Sequence, residues 1–301
     1  MKNIKKYLAT AALALVFTSA MAQDNKHEIS VSVGGGTAGF NPKMISKGVL
    51  DIKKDNGNGV NFGVGYAYNF SESFALVSGI HIDMFKSEFK LNEFGGNYMS
   101  VDSENDGFLL QYSANGYKEE IKATYLNIPL MARYTYNLND SWGLFVSGGA
   151  KIGFILSSKY NNKLESVTAQ GAYVQWGNGS DIPTIDDIEL EGFGTFKGLS
   201  SSDDLDLKTK FTAAAEIGAR YKINTKYSIY FGGYIDYTLN NIRGSEAKDL
   251  IQYDGYESQK ININSMAESL YKDEYQLVSA KAVSKLKPLS LGIKVQFAFG
   301  L

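Results

Sequence analysis

The stretch LGIKVQFAFGL, Leu291 to Leu301, alternates without a break. Extended back to Leu289, the odd positions are Leu289, Leu291, Ile293, Val295, Phe297, Phe299 and Leu301, all large and apolar. The even ones are Ser290, Gly292, Lys294, Gln296, Ala298 and Gly300, all small or polar. A period of two sends successive side chains to opposite faces of a strand, so one face here is wholly apolar. Thirteen such residues, at about 3.3 Å each and tilted some 45°, rise roughly 30 Å, the thickness of a bilayer's hydrocarbon core. Whether that apolar face meets a protein core or lipid decides the fold.

The same alternation recurs seven times upstream. Its apolar faces are carried by Ile29–Val33, Val60–Phe70, Leu76–Met84, Leu126–Tyr136, Trp142–Leu156, Phe211–Tyr221 and Ile229–Leu239. Eight strands result. Their connections alternate in length: short around 71–73, 137–141 and 224–226, and long over about 40–58, 90–118, 158–207 and 241–287. Structureless loops of that size are uncommon in a compact soluble domain. Short turns on one side and long loops on the other are the layout of an outer-membrane barrel, with an even strand number returning both ends to the periplasmic side.

Composition agrees. Thirty-one Gly against four Pro, with 20 Tyr and 17 Phe, suit strands. There is no cysteine, which leaves no disulfide, thiolate metal site or Cys nucleophile. The first residues read as a secretory leader: Lys2, Lys5 and Lys6, an apolar run from about Leu8 to Phe17, then Ala20-Met21-Ala22. The expected organisation is a cleaved signal over 1–22 and a barrel domain over 23–301. Without the three leader lysines the chain holds 27 basic and 32 acidic residues, which is no balance for nucleic-acid binding.

The polar faces together carry His81, Asp83, Arg133, Lys151, Glu216, Arg220, Asp236 and Lys294. A soluble barrel would put these outside. Three features put them inside instead, with the apolar set in lipid. Small residues share the charged face, where an eight-stranded barrel has room for side chains alone. Tyr66, Tyr68, Tyr134, Tyr136, Trp142, Tyr221 and Tyr227 gather on the apolar face near the short turns, as an interfacial aromatic girdle would. The charges nearly balance, as a packed ion-pair network requires. The expectation is an all-β, eight-stranded antiparallel up-and-down transmembrane barrel in the cell outer membrane, its lumen filled by paired charges. Pro129 lies inside the fourth strand, where a closed barrel has no edge to tolerate a missing donor, so a local bulge is expected there.

The segment TYLNIPLMARY, Thr124 to Tyr134, resembles the YLxIPLxxxY strand of the PorT-like outer-membrane β-barrel family of Bacteroidetes, proline included. The Ala-Met-Ala-Gln junction and the amphipathic last strand are similar to that family too. The resemblance implies a barrel over the whole mature chain, of the OmpA/OmpX-like architecture, and an association of the founding type with type IX secretion. It defines no catalytic residues. The last strand also resembles the C-terminal signal read by the barrel assembly machinery, with Phe297 and Phe299 at its apolar spacing and Leu301 where an aromatic is usual.

Catalytic and metal chemistry has little material. His81 and Asp83 share a face and could form an acid–base dyad, but a satisfied lumenal pair is the plainer reading. The one other histidine is His27. No cofactor is expected. Asp181, Asp186, Asp187, Glu189 and Glu191, with Asp203, Asp204 and Asp206, supply oxygens but not the spacing of a calcium loop. Residues 265–287 are compatible with a short helix or an extended hairpin. Trp176, Tyr173, Phe193 and Phe196, with Phe108, Tyr112 and Tyr117, load the long loops with aromatics that either pack the loops together or anchor a partner. The function expected is a structural or interaction role through those loops, toward an envelope or surface protein. A small channel and a lipid-modifying enzyme are the alternatives.

Overall fold

The computed structural model describes residues 26–44, 52–102, 104–177, 181–185, 192–254, 260–271, 280–281 and 283–301. The leader read over 1–22 and the acids Asp186, Asp187, Glu189 and Glu191 lie outside the described residues. The strands in chain order are β1 (His27–Met44), β2 (Ile52–Asn69), β3 (Phe74–Val101), β4 (Gly107–Asn137), β5 (Trp142–Ala172), β6 (Thr184–Ile185), β7 (Gly194–Asp204), β8 (Lys210–Lys222), β9 (Tyr227–Thr238), β10 (Lys248–Asp249), β11 (Ile251–Asp254), β12 (Lys260–Ile263), β13 (Ser269–Tyr271), β14 (Ala280–Lys281) and β15 (Val283–Gly300). Eight of them close a ring in the order β1, β2, β3, β4, β5, β8, β9, β15 and back to β1, every pairing antiparallel. The ring is the eight-stranded barrel read from the alternation.

One device builds the three short turns. Ser71 Oγ accepts from the backbone N–H groups of Ser73 and Phe74 at 3.3 and 3.1 Å. Asn139 Oδ1 accepts from Ser141 and Trp142 at 3.0 and 2.8 Å, and Asn224 Oδ1 from Lys226 and Tyr227 at 2.8 and 2.9 Å. A short polar side chain thus stands in for a carbonyl and fixes the reversal.

The residues assigned to lipid are the exposed ones. Val31, Phe62, Ile80, Leu130, Val146, Ile217, Phe231, Ile293 and Val295 all lie open on the outer wall, with Tyr66, Tyr134, Tyr136, Trp142, Tyr221 and Tyr227 near the short turns. So much exposed aliphatic surface has no account in water.

Two expectations about the strands are corrected, and one that was open is decided. First, Pro129 causes no bulge: Ile128, Pro129 and Leu130 pair in unbroken register with Ile152, Lys151 and Ala150. The ladder to β3 lapses instead, passing from Ser78–Leu130 to His81–Asn127. Pro129 has no N–H to give, and Ser78 Oγ donates to its carbonyl at 2.8 Å. Beside the gap, a Cβ on Gly79 would stand 2.3 Å from the Val64 carbonyl oxygen, so only glycine fits. The register shifts lie elsewhere, at Lys43/Met44, Asn56/Gly59 and Thr124/Tyr125. Second, the spans 90–118 and 158–207 are largely strand. β3 and β4 form a hairpin reaching Val101–Gly107, and β5 carries β7 on its edge from Ala169–Gly194 to Lys159–Asp204. Third, the choice left open over 265–287 between a short helix and an extended hairpin is decided for its described part: a turn at 266–268 is followed by β13, and none of its described residues is helical.

This outer sheet has its own core. Phe40, Phe85, Phe89, Leu91, Phe108, Tyr117, Ile121, Tyr125, Leu164, Phe193, Ile242 and Met266 belong to one buried apolar cluster. Here the lumen is filled by aromatic and aliphatic side chains, so the expectation of paired charges holds for the inner half of the barrel alone. The physical reason is the change of surroundings. Beyond the membrane the wall faces water, and the apolar residues turn inward as in any soluble domain.

Candidate functional site

Even-numbered positions of β1, β8, β9 and β15, and odd-numbered ones of β3, β4 and β5, point into the membrane half of the barrel. They bring seven of the eight charged or titratable candidates into a stack of contacts. Nearest the short turns, Arg220 Nη2 donates to Asn137 Oδ1 at 2.5 Å. Arg133 Nη2 donates to Glu28 Oε1 at 2.8 Å, and its guanidinium lies 4.3 Å over the Tyr230 ring, whose hydroxyl donates to Glu28 Oε2 at 3.1 Å. Lys294 Nζ donates to Glu216 Oε1. Lys151 Nζ reaches Asp236 Oδ2 at 2.8 Å. At the outer end Lys210 Nζ reaches Asp83 Oδ2 at 3.1 Å, with the Phe85 and Tyr125 rings 5.5 and 4.8 Å away. Four buried ion pairs and one amide-held guanidinium therefore occupy the lumen. Glu28, Lys210, Tyr230 and Asn137 belong to it and were not among the residues singled out from the sequence.

The eighth candidate, His81, is not joined to Asp83 by any hydrogen bond among the described residues. Asp83 turns to Lys210, while the His81 ring covers Gly63, where a Cβ would meet its Cδ2 at 2.2 Å. A small cavity remains between His81, Arg133, Ser147, Glu216, Tyr230 and Lys294, lined also by Val77, Met131 and Phe145. No acid–base dyad is assembled. Among the described residues no group of three or more His, Cys, Asp or Glu side chains could hold a metal ion.

The last-strand candidates sit where the barrel closes. Phe297 faces outward and stacks on Tyr227 with ring centroids 5.7 Å apart, Phe299 lies 5.4 Å from the same ring, and the Leu301 amide donates to the His27 carbonyl at 2.8 Å.

Burial divides the loop aromatics. Tyr173 and Phe193 are fully buried, and Phe196 packs against the outer core, as do Phe108 and Tyr117. Of the two readings open for these aromatics, Tyr173 and Phe193 take the packing one and are core, not surface anchors. Tyr173 serves as a pedestal: its hydroxyl donates to Asp102 Oδ2 at 2.9 Å, and its ring carries Trp176 stacked at 4.1 Å and 3°. Trp176 remains 50% exposed. Around it on the distal end, Met99 and Val101 of β3, Val174 and Ile182 are exposed as well. Asp102 Oδ1 also accepts the amides of Glu104 and Asp106 at 3.0 and 2.8 Å, fixing the β3–β4 turn beneath this patch.

Glu119 is a buried acid of the outer core with no ion pair among the described residues. Glu119 accepts from the Tyr117 hydroxyl at 2.7 Å, from the Met266 amide at 2.8 Å and from the Ser265 hydroxyl, pinning the turn at 266–268 to β4. Burial raises its pKa above the usual carboxylate value. A raised folded-state pKa gives stability that is present below the unfolded value and is lost as pH climbs through the folded one. Exchange of the Met266 amide should accordingly quicken as pH rises through that window, after correction for intrinsic exchange. Glu119→Gln should flatten the dependence. Identical pH profiles for the two proteins would remove Glu119 from this role.

A family model described as "Outer membrane protein beta-barrel domain" matches residues 21–244. No curated protein matches the chain. Among solved structures, Ail, the attachment invasion locus protein of Yersinia pestis, aligns at 11% identity over 91% of this chain and 99% of that one, with a TM-score of 0.27. Neisserial surface protein A aligns at 8% identity over 91% and 96%, TM-score 0.31. OprG from Pseudomonas aeruginosa aligns at 11% identity over 92% and 96%, TM-score 0.34.

Proposed function

The chain belongs to the outer membrane protein beta-barrel domain family and resides in the cell outer membrane, and from that premise we propose that it is a closed barrel acting through its outward-projecting sheet. The observation that carries this reading is the outer core. Phe40, Phe85, Phe89 and Tyr125 fill the lumen directly above the Asp83–Lys210 pair, which leaves a solute no polar path. Conduction would require that core to open, whereas binding at the distal patch requires no change.

Three finer assignments go with it. The TYLNIPLMARY segment supports a place among the PorT-like barrels of Bacteroidetes, and with it a partner in the envelope or the secretion machinery. After removal of a leader over 1–22, the strand bearing Phe297, Phe299 and Leu301 would be the segment offered to the barrel assembly machinery. We infer no enzymatic role, because His81 packs on Gly63 and Asp83 is committed to Lys210.

Photo-crosslinkers placed at Met99 and at Trp176 in intact cells should capture the same envelope protein, and one at lipid-facing Tyr136 should not. The purified barrel should show no steady conductance in a planar bilayer. A steady conductance, or silence at both distal positions, would end this reading.

A further inference from the structure

Above the lipid-facing band the outer wall changes chemistry in one step. The first ionisable outward residue past the band is Lys86 on β3, Lys122 on β4, Lys159 on β5 and Lys287 on β15. Register sets Lys86 opposite Lys122, and Lys122 opposite Lys159. The next outward row is Asp55, Glu88, Glu120 and Asn161, and the one after it is Lys53, Lys90, Lys118 and Lys163. Charge therefore alternates along the strands and repeats across them.

That arrangement is costly for the sheet itself, since like charges directly opposite one another are destabilising. The acidic row answers part of it. Lys86 Nζ lies 2.5 Å from Glu120 and 3.4 Å from Glu88, Lys122 lies 2.7 Å from Glu120, and Lys118 lies 3.3 Å from Glu88. Lys159 comes no nearer than 4.0 Å to Asp204. Lys53, Lys90 and Lys163 have no ion pair among the described residues. The seven lysines of the rows outnumber Asp55, Glu88, Glu120 and Asp204 by three, and with Lys54, Lys197, Glu93, Glu165 and Asp203 added the outer wall of β2–β5 and β7 keeps a surplus of two positive charges. The pairs are also exposed, the Lys122 side chain by 60%, so each lysine can exchange its partner cheaply.

We propose that these lysine rows bind the phosphorylated headgroups of the lipid that covers the apolar band. The position of the rows selects that occupant. An amphiphile lying against Met84, Leu126 and Phe154 has its headgroup at the level of Lys86, Lys122 and Lys159. The lysine stems continue the apolar surface while their ammonium groups reach outward. Each ammonium is a compact charge suited to phosphate. Lys287 extends the rim to β15, where its Nζ donates to the Leu239 carbonyl at 2.5 Å and lies 5.8 Å over the Tyr237 ring. This inference is independent of any partner at the distal patch.

The full chain, folded in nanodiscs of phosphatidylcholine doped with a phosphorylated glycolipid of the lipid A type, supplies the test. Native mass spectrometry should show the glycolipid enriched on the protein over both phosphatidylcholine and its own dephosphorylated form, with the enrichment falling as salt rises. The triple variant Lys86→Gln, Lys122→Gln, Lys159→Gln should lose at least about tenfold of that preference, given roughly fivefold per surface lysine. The corresponding triple arginine variant should keep it, as should a control carrying Lys197→Gln and Lys226→Gln. Equal stability of wild type and the Gln variant in pure phosphatidylcholine separates lost binding from lost fold. Retained preference in the Gln variant, or no preference in the wild type, overturns the proposal. Full displacement by inorganic phosphate at constant ionic strength would mark a free-anion site and overturn the lipid assignment.

Discussion

Replacing Lys151 with methionine should destabilise the barrel by about 3–5 kcal/mol, the largest effect expected from any single lumenal change. Lys151 is buried and holds Asp236 Oδ2 at 2.8 Å, while Asp236 Oδ1 is buried with no hydrogen-bond partner among the described residues. The substitution strands a carboxylate inside a wall whose far side is hydrocarbon. Water is the one possible replacement, and it would have to enter the small cavity that Asp236 lines with Asp83, Tyr234 and Ser290. Adding Asp236→Leu should recover most of the loss, because replacing both members of a buried pair by apolar groups of similar size is often neutral or better. Arg220→Gln should cost less than Lys151→Met, since Arg220 is held by a neutral amide and its removal leaves no opposing charge. Urea titration of the folded protein in micelles, followed by tryptophan fluorescence, reads the wild type and these three variants. If Lys151→Met lost less than about 1 kcal/mol, the range of an exposed pair, the lumen would have to be wet and the conducting alternative would revive.

The membrane half of the barrel was legible in the sequence because one rule governs it: outward means lipid, and a period of two shows which residues point outward. The same rule extended by one residue would have found two missed members of the lumen. Glu28 is in phase with Ser30, and Lys210 with Thr212 and Glu216, but both stand one step outside the apolar run that marked each strand. Two things hid the outer half. The sense of the pattern reverses there. On β4 the residues Leu126 and Leu130 face out while Arg133 faces in, yet past Tyr125 it is Ile121 and Tyr117 that face in and Lys122 and Lys118 that face out. A strand that continues while its solvent changes reads as the end of a strand.

The pleat then inverts. Buried positions run Phe89, Leu91 and then Phe94, Tyr98 on β3; Ile121, Glu119, Tyr117 and then Ala114, Leu110 on β4; Tyr160, Asn162, Leu164 and then Val167, Ala169 on β5. The phase slips together near Asn92, Gly116 and Glu165 while the pairing Leu91–Tyr117, Glu93–Asn115, Asn115–Ser166 stays in register. Gly116 adopts φ 73° there and Gly198 of β7 φ 67°, a left-handed conformation that glycine accepts most readily. Slips that neighbouring strands share interrupt the ladder at one or two pairs and keep its register on both sides, so the sheet survives them although strict alternation does not. The aromatic load of the loops was visible, but its burial depended on this sheet.

Arginine at Ile293 or Ile217 should cost about 2–4 kcal/mol, the penalty for a cation on the lipid face near the midplane of a membrane barrel. Both side chains stand clear of the wall, at 73% and 69% exposure, near the middle of β15 and β8. In water such positions would be the most tolerant on the molecule, because a substitution that touches nothing seldom moves stability by more than about 0.5 kcal/mol. Lipid inverts that expectation, and exposure becomes the measure of the damage. Met99→Arg is the matched control. Met99 is 63% exposed on β3, far beyond the lysine rows, so its change should be nearly silent. Reversible unfolding of the three variants in lipid vesicles gives the comparison. Spin labels at Ile293 and Met99 read the same difference directly, the first through contact with a lipid-soluble relaxing agent and the second through a water-soluble one. Equal tolerance at Ile293 and Met99 would mean both face water, and the apolar wall would then have to be covered by protein.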